Sequence, residues 1–258
     1  TNAKGKTSVM SRGAVGAVIG VLVLAAAAVG GWWFFGGNSE ISAPAQEGAE
    51  ELAAEAASEV VFRIDAESST AEFRIDEVLR GADFTVVGTT QQIAGDIRVN
   101  VEDPSASTIG EIRVNARDLT TDDGNRNRAL QRFILRSDQD EFEFITFEPT
   151  ALQNMPESVN IGRPMDFQIV GNLTIIDTTN EVTFDASVTA VSENQIEGTA
   201  EAVVLYQDYE LTIPDVPMVA SVEDEVTIVL SFVANAVDED AAAEDTTTET
   251  EATEEASS

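Results

Sequence analysis

Between residues 60 and 237 apolar and polar side chains alternate with a period of two almost throughout, the signature of strands with one dry face and one wet face. Ile97, Val99 and Val101 alternate with Asp96, Arg98 and Asn100, and Ile112, Val114 and Ala116 with Glu111, Arg113 and Asn115. Further along, Phe167, Ile169, Leu173 and Ile175 share a face, as do Val182, Phe184, Ala186 and Val188, and again Val226, Ile228, Leu230 and Phe232. Turn residues punctuate the pattern at Glu102–Ser105, Asp177–Asn180 and Ser192–Asn194. The pattern predicts eight or nine strands with short antiparallel connections, hence a barrel or a sandwich, since closing a sheet removes its sticky edges.

One stretch departs from period two. In "NRNRALQRFILR", Asn125 to Arg136, the residues Leu130, Phe133 and Ile134 recur at helical spacing behind Asp122-Asp123-Gly124, which reads as a helix cap. Arg128, Arg132 and Arg136 lie opposite that stripe with Arg126 nearby, so one short helix concentrates the arginines of an acidic domain. Arg126, Arg128 and Arg132 at a barrel mouth would hold a phosphate or another ligand oxygen by charge-assisted hydrogen bonds. The plainer reading pairs them with Asp138, Asp140 and Glu141 on a solvated face.

The ends of the chain follow other rules. Lys4, Lys6 and Arg12 make residues 1–12 basic, and residues 13–37 are uncharged. The 22 residues from Ala14 to Phe35 rise roughly 33 Å as a helix, the thickness of a bilayer's hydrocarbon core. Trp32 and Trp33 fall where an interfacial aromatic belt would lie. A single-pass anchor is expected, with the basic flank cytoplasmic and everything after it outside, in the periplasm or at the cell surface. The competing reading is a signal peptide cleaved near Ala43-Pro44-Ala45, giving a secreted protein. Residues 38–59 carry six acids and no base and read as a disordered tether, and residues 238–258, with nine acids, as a solvated tail.

Composition then excludes more than it suggests. With 47 acids against 14 bases the net charge is −33, which argues against nucleic acid. Cysteine and histidine are absent, removing disulfides, thiolate nucleophiles, Cys/His metal sites and the imidazole of most hydrolytic triads. There is no P-loop, dinucleotide fingerprint or Gly-x-Ser-x-Gly elbow. No catalytic residue and no metal ligand is assigned, and Asp122–Asn125 fails the calcium-loop pattern. A binding protein is expected rather than an enzyme.

Five blocks in order, "FRIDAESSTAEFRIDE", "VVGTTQQIAGDIRVN", "RVNARDLTTDDGNRNRALQRFIL", "GNLTIIDTTNEVTFDASV" and "DYELTIPDVPMVASVEDEVTIVLSFVA", resemble the YceI-like family across residues 60–236. The resemblance implies a closed antiparallel lipocalin-like β-barrel of about eight strands with one short helix, whose apolar interior holds a polyisoprenoid or quinone as carrier or store. It also suggests a homodimer. The chain departs from the family where a His-Gly pair often stands, here Ile176-Asp177, and where Arg-x-Asp-Phe-Gly often stands, here Tyr206-Gln207-Asp208-Tyr209-Glu210. An eight-stranded barrel is either just filled by side chains or holds one small ligand. Phe147, Phe167, Phe184 and Phe232 are expected as aromatic walls, and Ala186, Val188, Ala200 and Ala202 complete the lining. The alternative is an envelope structural or interaction module in which the same residues pack as a solid core.

Overall fold

The structure is a computed structural model that describes residues 42–237. The basic N-terminus (1–12), the expected anchor (13–37), the first residues of the expected tether (38–41) and the acidic tail (238–258) lie outside the described residues. Among the described residues no helix is long and apolar enough to cross a membrane.

The fold is all-β: a curled antiparallel sheet with one short helix. Its long members come late in the chain, where alternation is cleanest: β8 (Phe144–Gln153), β9 (Pro164–Ile175), β10 (Thr178–Ser192), β11 (Gln195–Leu205) and β12 (Val219–Ala236). The β9–β10 hairpin closes on two residues, not four, because Ile175 already pairs with Thr178. Ile176 enables this tight turn with a left-handed backbone, φ 59°. In β10 and β11 the buried residues are all inward ones and their neighbours are not buried, as the alternation requires, while in β9 Val170 is buried along with Ile169 and Gly171.

The earlier part of the sheet is built from shorter pieces: β1 (Glu59–Ile64), β2 (Thr70–Leu79), β3 (Ala82–Thr90), β4 (Ile93–Ala94), β5 (Asp96–Asn100), β6 (Thr108–Ile109) and β7 (Ile112–Asn115). Their pairings show how the pieces combine. Along one side of β12 runs β11; along the other run β2, opposite Val219–Ser231, and β1, opposite Ala234–Ala236. Likewise β3 pairs with β2 and β5 with β1, while β4 and β5 also pair with β7 and β6 on the opposite side. Merged across their short interruptions, the pieces make eight antiparallel runs, matching the number expected from alternation.

Residues 42–58, expected as part of a solvated tether, lie along the polar face of β7, β5 and β1. Glu143 Oε1 accepts hydrogen bonds from Ser42 Oγ (3.1 Å) and the Ala43 N–H (2.7 Å). The Leu52 N–H donates to Asp96 (3.0 Å), Arg113 donates to the Gly48 carbonyl (3.0 Å), and Arg98 donates to the Ala53 carbonyl (3.2 Å). Ala45 is 2% exposed. The composition misled because this strap is held by backbone groups meeting charged side chains of the sheet, a mode of attachment that needs no bulky apolar residues.

Candidate functional site

The inner face of the sheet lines an apolar cavity of about 1070 Å³. Of the residues expected to line it, Phe147, Phe167, Phe184, Val188, Ala200 and Phe232 are on its wall. Ala186 and Ala202 are buried at 5% exposure each, in the core beside the wall and not on it. Phe147 and Phe184 meet edge to face, with ring centroids 4.9 Å apart.

Three inward glycines explain how bulky rings and a void coexist. A Cβ on Gly88 would lie 2.1 Å from Phe73 Cε1, one on Gly171 2.6 Å from Phe147 Cζ, and one on Gly198 3.1 Å from Phe232 Cε1. Phe73 and Gly88 are direct cross-strand partners, as are Phe232 and Gly198. Each ring lies down over a position that has no side chain, so it covers the sheet without standing across the bore. The signal was available: a glycine at an inward position of an alternating strand marks a close approach by another group.

One end of the cavity is capped by the irregular segments. Helix α1 (Gly124–Ala129) continues as a π turn over Leu130–Ile134, closed by the Leu135 N–H to Leu130 carbonyl bond at 2.8 Å. Asp123 is its N-cap, accepting from the N–H groups of Asn125 (2.7 Å) and Arg126 (3.0 Å); these two bonds, that of Arg126 first, hold its carboxyl below the usual carboxylate range. The π turn changes the periodicity, so Leu130 is buried and Ile134 faces the cavity, while Phe133, expected in the same stripe, is 68% exposed.

The arginines expected at the mouth separate. Arg126 lines the cavity, but its guanidinium is engaged by Glu77 (3.1 Å), a residue of β2 that is only 8% exposed, and by Asp122 (2.6 Å). Arg128 and Arg132 are exposed and absent from the cavity wall, and Arg128 donates to Asn125. The plainer pairing is redrawn as well: Asp140 binds Arg117 (2.9 Å), and the acids that meet the helix are Glu77 and Asp122. The capped start of the helix aims Arg126 at β2, away from the downstream acids.

Tyr209 is also on the wall, in the 3-10 turn Tyr206–Tyr209 that follows β11. It is 2% exposed, and burial first, then the charge of Asp208, push its phenol up to about 12. Among the described residues no cluster of acids is arranged to hold a metal ion.

A model of the YceI-like domain matches residues 62–234. No curated protein matches the chain. Among solved structures, the chain is similar to BcnA of Burkholderia cenocepacia, at 15% identity, TM-score 0.53, over 67% of this chain and 99% of that one. It is similar also to a polyisoprenoid binding domain from Saccharophagus degradans implicated in plant cell wall breakdown, at 12% identity, TM-score 0.53, over 69% of this chain and 99% of that one. At these identities the likeness is one of fold.

Proposed function

The chain belongs to the YceI-like domain family, and from that premise we propose that it is a binding protein that carries or stores an isoprenoid-type lipid, a polyisoprenoid or a quinone, in its interior. The observation that carries this reading is the cavity: about 1070 Å³, walled by apolar side chains, with phenylalanine rings laid flat on glycines. Ligand pockets commonly enclose about 300–1000 Å³, so the space suits an extended chain. Each methylene leaving water contributes about 0.8 kcal/mol, so a hydrocarbon chain gains affinity without any polar contact. A solid-cored scaffold would have no use for such a void, and its lining would be expected to collapse on itself.

The reading takes the curled sheet to be a closed barrel. Its support is the double pairing of residues 93–100, which bond to β7 through β4 and to β1 through β5, with the Ile64 N–H donating to the Gly95 carbonyl (3.0 Å) at the junction. It also takes residues 13–37 as a single-pass anchor that keeps the barrel outside the cytoplasm, in the periplasm or at the cell surface, beside the bilayer that supplies its ligand; the uncharged run and its basic flank support this. No reaction is assigned to it.

Native mass spectrometry of the full chain released from detergent tests the reading. The expected result is an added mass in the isoprenoid range, recovered by solvent extraction. A bare polypeptide mass that stays bare after incubation with prenyl lipids would overturn it.

A further inference from the structure

Three buried side-chain polar atoms have no hydrogen-bond partner among the described residues: Arg98 Nε, Arg113 Nε and Tyr209 Oη. The arginines have other nitrogens engaged, Arg98 with Ala53 and Arg113 with Gly48. Tyr209 has a single polar atom, and it alone of the three belongs to the cavity wall. A buried hydroxyl without a partner is costly, and a phenylalanine would fill the same place without that cost.

The surroundings do not quench it. Asn180, at the start of β10, gives its amide N–H to the Asp208 carbonyl at 2.8 Å. Its amide lies close enough to oppose the rise in the phenol's pKa in part, yet it makes no hydrogen bond of acceptable geometry with Oη. The turn itself is fixed by Glu210, whose left-handed backbone (φ 56°) ends it. The phenol therefore remains a neutral donor held in place.

The charges at this end decide what it would meet. Leu205, at the foot of the turn, pairs with Glu225, three residues along β12 from Val222, which pairs with Glu77. Glu77 and Asp123 on the wall and Asp208 beside Tyr209 bring three carboxylates to this end against two arginines of the wall, Arg80 and Arg126, of which Arg126 is already bound by two carboxylates. An anionic head such as a diphosphate would meet more acids than cations here, whereas a neutral carbonyl oxygen would accept the spare hydrogen bond.

Resting on the lipid-binding reading above, we propose that Tyr209 is the polar anchor of the cavity, and that its hydroxyl selects a lipid bearing a neutral carbonyl oxygen, as in a quinone ring, over the bare hydrocarbon or its diphosphate. The test measures binding of three probes with one prenyl tail length, a benzoquinone, a hydrocarbon and a diphosphate, to the full chain and to Tyr209→Phe. The wild type is expected to favour the quinone about 5–10-fold, the worth of one net hydrogen bond, and Tyr209→Phe to lose that margin. Without ligand the variant is expected to melt about 2–4 °C higher, because the orphaned hydroxyl is gone; a purely structural role would lower it. A variant that keeps the quinone preference, or a wild type that prefers the diphosphate, overturns this assignment and leaves the lipid reading standing. Failure of all three probes to bind the wild type overturns both.

Discussion

The hairpins β9 to β11 and the broken runs β1 to β7 belong to one sheet but are stabilised by different means. In the first region the rungs continue for many residues, and the inward positions are apolar or glycine. In the second, each interruption frees backbone groups, and buried polar side chains take them up. Ser69 Oγ donates to the Val233 carbonyl (3.3 Å) and accepts from the Val233 N–H (3.1 Å). Asp96, fully buried, accepts from Arg63 at 2.9 and 3.0 Å and from the Leu52 N–H. Asn115, also fully buried, accepts from the Arg117 N–H (2.9 Å) and donates to Ser42, the Ala43 carbonyl and Glu143 at 2.8 to 2.9 Å. Long strands can rely on burial of side chains; short ones need partners for every orphaned amide and carbonyl.

The sharpest way to break this contrast is to remove one polar junction. Asn115→Leu takes the partner from the Arg117 N–H and the Ala43 carbonyl and one of several hydrogen bonds from Glu143, and is expected to cost about 3–4 kcal/mol in denaturant unfolding. A cost near zero would mean that the broken runs, too, rest on apolar packing. In the regular region the sensitive points are instead steric. A Cβ added by Gly198→Ala would approach the Ser187 carbonyl to 2.7 Å, backbone that has little freedom to yield, so a loss of about 1–3 kcal/mol is expected. The smallest effect belongs under the strap. Burial raises the Glu111 carboxyl above its ordinary value, with Arg113 opposing and Glu148 and Glu50 adding to it. A raised folded-state pKa means that the contribution is fully present below the unfolded value and is lost as pH rises through the folded one. Glu111→Gln is therefore expected to raise the melting temperature slightly at neutral pH and to do nothing at pH 3.

What could be read in advance divides along the same line. The strands from Phe167 to Phe232 were legible because burial there follows position along the chain, and six of the eight expected lining residues are on the cavity wall. Asp96, Asn115 and Glu143 were illegible because their partners lie far away in sequence, Ser42 for Asn115 and Leu52 for Asp96, and nothing local distinguishes a buried asparagine from an exposed one. The same distance hid the engagement of Arg126 by Glu77. Tyr209 stood inside a stretch that departs from the family pattern, yet only the surrounding turn shows its hydroxyl to be unpartnered.

The rings that recline on glycines give the molecule an adjustable calibre. Turning such a ring about its side-chain torsions changes the girth available to a guest, yet no rung of the hydrogen-bonded frame has to part. Under the proposed lipid reading, thick and thin tails would be met by the upholstery alone, with the skeleton left as it was.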